Sequence, residues 1–180
     1  MLDLLVTLAG IAFAIVVLRW VTRAYLAFRG TRVVTCPETQ IPAAVEVDAR
    51  HAAVTSVLAR PELRLRSCTR WPERMDCGQE CLAEIESAPL DCLARTMLLR
   101  FYAGRSCVVC HSPFGDIEWH DHKPALMTAD GETVTWEEVR PERLPDVLAT
   151  HGPVCWNCHI GLRFRRRHPE LVTDCRWPHT

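Results

Sequence analysis

The chain opens with an uninterrupted apolar run, LLVTLAGIAFAIVVL from Leu4 to Leu18, and nothing later in it matches that run for length. With Leu2, Trp20 and Val21 added, and Arg19 long enough to carry its charge outward, the run reaches roughly 20 residues, what a helix needs to cross about 30 Å of hydrocarbon. Beyond it the periods shorten. RVVTCPETQIPAAVEVD predicts two strands around a turn: Val33, Val34, Val45 and Val47 supply β-branched side chains, and PETQIP supplies the break. ARHAAVTSVLA predicts a short helix ended by Pro61, and ELRLRSC alternates apolar and basic positions as a strand does. GQECLAEIESA and LDCLARTMLLRFYAG have helical spacing. In the second of these, Leu93, Met97, Leu98, Phe101 and Tyr102 build one apolar face before Gly104 stops the helix. These two helices are expected to form the core of an amino-proximal module over 33–104.

A carboxyl-proximal module is expected over 105–180. In it, ALMTADGETVTW predicts a β-hairpin turned at Asp130 and Gly131. A proline-spaced link, RPERLPDVLATHGP, follows, and HIGLRFRRRHPEL predicts a helix stopped by Pro169. The expected fold class is therefore α+β: a single amino-terminal transmembrane helix within 1–28, then a small cysteine-rich body.

Composition changes this picture in one respect. A length of 180 residues allows one ordinary domain or two very small ones, and a net charge of −1 gives no argument for nucleic acid. The ten cysteines are the anomaly. They imply disulfides in an oxidising compartment and metal ligation in a reducing one, so the compartment comes first. The apolar run lacks the basic start and small-residue cleavage site of a secretory leader; only Asp3 precedes it, which predicts an anchor that is retained. Arg19, Arg23, Arg29 and Arg32 all flank its carboxyl side, and no Lys or Arg flanks the other. The positive-inside rule then predicts an inner (cytoplasmic) membrane protein with its body in the cytoplasm, Trp20 and Tyr25 lying at the headgroups.

The chemistry centres on two short motifs, SCVVCHSPFG and PVCWNCHIG. Cys107, Cys110, Cys155 and Cys158 form two C-x-x-C pairs. Two such pairs give one tetrahedral zinc ion four thiolates and leave no position open for substrate. The first pair lies on a loop with Pro113 and Gly115 behind it; the second opens a helix, whose amino-terminal dipole favours thiolate charge. Loop, hairpin, then pair-plus-helix resembles the treble-clef and zinc-ribbon families over residues 106–170. That resemblance implies a small structural metal site and no particular activity. The 44 residues between the pairs exceed the spacing of compact ribbons.

Each pair is also followed by a histidine, His111 and His159, so both motifs read C-x-x-C-H and resemble c-type cytochromes. The resemblance implies two covalent haems with those histidines as proximal ligands, and distal ligands from among Met127, His120, His122, His151 and His168. Haem attachment takes place outside the cytoplasm, however, and the segment between the motifs reads as strands rather than a helical haem wrapping. Zinc is the favoured cofactor, two haem c groups the alternative, and a rubredoxin-like or iron–sulfur site a third reading of the same thiolates.

Cys36, Cys68, Cys77 and Cys81 offer a second four-thiolate site, with Cys77 and Cys81 one helical turn apart if DCGQEC is helical; the plain alternative is thiols packed as small apolar side chains. Cys92 is expected to be packing and Cys175 a free thiol. His120 and His122 alternate along an expected strand and favour an exposed edge over an auxiliary metal site. Arg163, Arg165, Arg166 and Arg167 form a basic run read as a solvated helix end, with anionic lipid next and nucleic acid last. There is no glycine-rich phosphate loop, G-x-S-x-G or H-E-x-x-H, so no enzyme activity is expected. The expected partners are the lipid bilayer and a protein in a membrane complex.

Overall fold

The computed structural model describes residues 2–57, 59–73 and 76–172. The chain divides into two compact units, 1–97 and 98–180.

The first unit begins with α1 (Leu2–Phe28), a 27-residue helix. Its most apolar window has a mean hydropathy of 2.4 and none of that window is buried, so α1 is not the core helix of a soluble domain. By length and composition it is a membrane span or a signal sequence. The helix stops at Gly30, whose φ of +98° only glycine adopts without strain. Arg32, fully buried, then turns back on the helix end. Its guanidinium donates to the carbonyls of Ala27, Phe28 and Gly30, which the last turn leaves without helical partners. Sequence counting treats Arg32 as a headgroup charge; the structure places it inside, against the negative end of a helix dipole. Arg19, Arg23 and Arg29 are exposed and keep the expected bias.

Three antiparallel strands follow in the order β1 (Thr31–Thr35), β2 (Pro42–Val47) and β3 (Leu65–Cys68). Pairing of Val33 with Ala44 and Val34 with Ala43 sets the register of the first pair, and a bulge between Glu46 and Val47 bends β2. Asp48 caps α2 (Ala49–Thr55) by accepting from the His51 N–H, and its carboxylate also binds Arg64. The helix ends well before Pro61 because Thr55 and Ser56 turn their hydroxyls back onto the carbonyls of its last turn.

The core differs from expectation. It consists of Val34, Val45, Val47, Ala52 and Leu65 from the sheet and α2, with Phe28 at the end of α1 and Ile85 from α3 (Leu82–Ser87). The helix α4 (Ala94–Tyr102) gives its buried residues Leu98, Phe101 and Tyr102 to the second unit. There Tyr102 meets Phe101 and Phe114 edge-on, and its hydroxyl donates to the Ala125 carbonyl at 2.9 Å.

The expected hairpin is present as β4 (Ala125–Met127) and β5 (Thr133–Thr135), with Gly131 at φ +73°. The link after it is not a link. It holds a 3-10 turn over Pro141–Arg143, then α5 (Leu144–Thr150) and β6 (Gly152–Val154), which pairs antiparallel with β4 to give the order β5-β4-β6. Its prolines sit in first turns, where no N–H is needed, and so start helices instead of breaking them. Pro153 is tolerated because β6 is an edge strand. The last α-helix among the described residues is α6 (Trp156–Arg167), and Pro169 follows its cap as expected.

Candidate metal centre

Two elements deliver the four sulfurs. The loop after Cys107 folds into a tight knuckle. The Cys107 N–H donates to the Ser112 carbonyl and the His111 N–H returns to the Cys107 carbonyl, both at 2.9 Å. Such a closure needs a left-handed residue after the second cysteine, and His111 supplies it at φ +58°. The second pair rides on the start of α6: Cys155 is the cap residue in extended conformation, and Cys158 lies in the first turn. The knuckle is tied to the strand before that helix by the Val108 N–H, which donates to the Pro153 carbonyl at 2.9 Å. Gly152 allows this approach, since a Cβ there would lie 3.0 Å from Val108 Cγ1.

The result is a quartet. The sulfurs of Cys107, Cys110, Cys155 and Cys158 all lie within 4.8 Å of one another, and those of Cys110 and Cys155 are 3.7 Å apart. Four thiolates about 2.3 Å from one tetrahedral ion stand about 3.8 Å from each other. The arrangement therefore fits a metal ion. Cys107 is fully buried and accepts from two main-chain donors, the N–H of Val109 at 3.5 Å and of Cys155 at 3.3 Å.

The electrostatics point the same way. Burial opposes ionisation of Cys107, but the N–H groups of Cys110, Cys155 and Val109 outweigh it and lower its pKa. The side chain and N–H of Ser112 bring the Cys110 thiol down to about 6. Burial holds Cys155 and Cys158 in the opposite direction, and at Cys158 the neighbouring sulfurs add to it. Four negative charges cannot share this volume unaided. A divalent cation bound here would remove the conflict and favour the thiolate form of all four.

The histidines behind the pairs have local roles. His111 is exposed and fixes the knuckle turn. His159 is 1 % exposed, and its Nδ1 lies 2.9 Å from Thr133 Oγ1 on β5; burial lowers its pKa and so favours the neutral ring. Neither role is visible in a motif. Ser112, Thr133 and the Val108–Pro153 bond are also absent from the sequence reading; the positive φ at His111 has a faint sequence signal in the pairing of a second cysteine with a turn-tolerant residue.

Other expected positions are scattered. His120 and His122 lie in irregular bends rather than on a strand, because Pro124 delays the strand to Ala125. His122 pairs with Asp121 and, with Glu118, makes an exposed cluster. Met127 ends β4, His151 contacts the Thr150 hydroxyl, and His168 faces Glu170. In the basic run, Arg163 and Arg166 pair with Glu138 and Glu132. In the first unit Cys92 is buried in the core as expected. Cys77 and Cys81 do not share a helical turn: Cys77 precedes α3 in irregular chain, Gln79 bends that chain at φ +56°, and Cys81 is the cap residue of α3. Cys175 lies outside the described residues.

No protein-family model matches the chain, and no curated protein or solved structure is significantly similar to it.

Proposed function

We propose that this chain is a membrane-anchored accessory or interaction protein whose second unit is a treble-clef-like module built on a structural zinc ion at Cys107, Cys110, Cys155 and Cys158. The single observation that carries the reading is the convergence of both cysteine pairs on one point at tetrahedral spacing. Knuckle, hairpin and cysteine-bearing helix follow one another in treble-clef order, with α5 and β6 inserted before the helix. Four protein ligands close the coordination sphere, which supports a structural and non-enzymatic role. In a module this small, zinc would supply roughly 10 kcal/mol or more of folding free energy.

The dihaem alternative gains nothing from the geometry. Two haems need each pair to grip its own porphyrin, whereas Cys110 and Cys155, from different pairs, are 3.7 Å apart and the His159 ring is buried against Thr133. The span α1 and its flanking arginines support an inner-membrane anchor with the body in the reducing cytoplasm. A bilayer and a protein within a membrane complex are the partners this reading implies. The test is direct. Detergent-purified protein is expected to be colourless and to contain zinc by elemental analysis, with Cys155→Ser lowering the zinc content and the melting temperature together. A Soret band that survives denaturation would overturn the proposal in favour of haem.

A further inference from the structure

The first unit contains a second set of sulfurs, and its backbone repeats the device seen at the first. The Cys36 N–H donates to the Ile41 carbonyl at 3.0 Å, and the Gln40 N–H returns to the Cys36 carbonyl at 2.8 Å, with Gln40 at φ +55°. Residue for residue this is the Cys107–Ser112 knuckle, with Thr39 where the other loop has Cys110. The remaining sulfurs come from elsewhere: Cys68 at the end of β3, Cys77 in the irregular chain beyond it, and Cys81 at the cap of α3.

Three further observations bring these residues together. Cys36, Cys68, Cys77 and Cys81 line one pocket whose walls include Val34, Leu65 and Trp71, and Cys81 lies within electrostatic reach of the other three. Main-chain donors already point at the sulfurs. The Arg70 N–H reaches Cys68 Sγ at 3.4 Å and the Gln79 N–H reaches Cys77 Sγ at 3.3 Å, each from two residues ahead, as Val109 does for Cys107. N–H groups aimed at sulfur favour the thiolate over the thiol. Finally, two polar atoms on this pocket are buried without a hydrogen-bond acceptor or donor of good geometry, Arg70 Nε and Thr39 Oγ1, although the Thr39 hydroxyl faces Cys36. Buried orphans of this kind call for a partner, and an anionic metal–thiolate group would accept from both.

We infer that Cys36, Cys68, Cys77 and Cys81 form a second four-thiolate site for a zinc-class divalent cation. The quartet is wider than the first, since no three of its sulfurs lie within 4.8 Å of one another. Closure falls to the segment from Cys77 to Glu80, which lies outside helix and strand. Soft thiolates in an apolar pocket select zinc over magnesium or calcium. Packing alone does not explain the set. Cys81 lies in the core cluster with Cys92, and Cys68 packs against it, but Cys36 and Cys77 are half-buried, lie outside that cluster and gather with the other two on the pocket. The ion would clamp the β1–β2 loop, the end of β3 and the start of α3.

The inference is independent of the Cys107 centre, and metal counting separates the two. The full chain, purified in detergent without chelator, is expected to contain two zinc ions, falling to one in Cys77→Ser and to one in Cys155→Ser, with Cys92→Ala retaining two. A count of one in the unaltered chain that is lost only in Cys155→Ser overturns this second site and leaves the first standing. A count of one lost only in Cys77→Ser supports the second site and overturns the first. Should either serine variant fail to fold, alkylation and mass mapping of the unaltered protein decides: protection of Cys36, Cys68, Cys77 and Cys81 that is removed by chelator supports the site, and free reaction or a disulfide among them overturns it.

Discussion

His111 shows how one side chain can carry two incompatible messages. As a letter behind C-x-x-C it announces a haem ligand; as a residue at φ +58° it closes the Cys107–Ser112 knuckle. The two meanings make opposite demands. A ligand role needs the imidazole, whereas a turn role needs only a backbone that tolerates the left-handed region, and glycine does that at least as well. His111→Gly is therefore expected to keep the metal and to alter stability by less than about 1 kcal/mol, relief of the left-handed strain roughly offsetting the added freedom of the unfolded chain. His111→Val, β-branched, is expected to lose more, about 1–2 kcal/mol. Metal content and thermal unfolding of the two variants check this. Its counterpart in the second motif, His159, stands in contrast, for its ring is buried and bonded to Thr133 on β5.

Among the elements, the join between α1 and β1 is the most constrained. A helix end buried without partners is costly, and here one side chain supplies them: Arg32 binds three carbonyls within five residues of itself while its charge opposes the dipole of α1. Burial lowers its pKa, with the neighbouring Cys92 acting in the opposite direction, and arginine stays charged at any physiological pH. Arg32→Leu keeps the apolar contacts but orphans the three carbonyls, and is expected to destabilise the first unit by about 3 kcal/mol, read as a lower denaturant midpoint. Arg32→Lys is expected to recover part of the loss, because an ammonium retains the charge but not the planar fork. The strands around this join were readable from their β-branched pattern, and so was the hairpin at Gly131. α5 and β6 were not. Proline in a first turn and proline on an edge strand obey rules that depend on neighbours along and across the chain, and a run such as RPERLPDVLATHGP does not declare which applies.

For the protein entire, the same division between local and distant information governs the sites. The grouping of Cys107, Cys110, Cys155 and Cys158 could be read from spacing because each pair is set by a local turn. The gathering of Cys36, Cys68, Cys77 and Cys81 could be suspected only from their number and from a supposed helical turn. Their real link is a sheet that brings β1 and β3 alongside β2, and the helical phase that suggested Cys77 with Cys81 is absent. Orientation is a further property of the protein as a unit. A reporter fused after the last residue is expected to be active in the cytoplasm and silent outside it, since Arg19, Arg23 and Arg29 remain exposed on one flank of α1; a periplasmic signal would put the cysteines in an oxidising space and reopen the haem reading. One consequence of the Arg32 fastening reaches past stability. With only Arg29 and Gly30 between the last helical turn and the sheet, the first unit has no tether to swing on. On the proposed membrane-anchored reading, the sheet would ride at the lipid surface in a fixed pose, and whatever docks with it would have to arrive there, at one height and from a restricted set of directions.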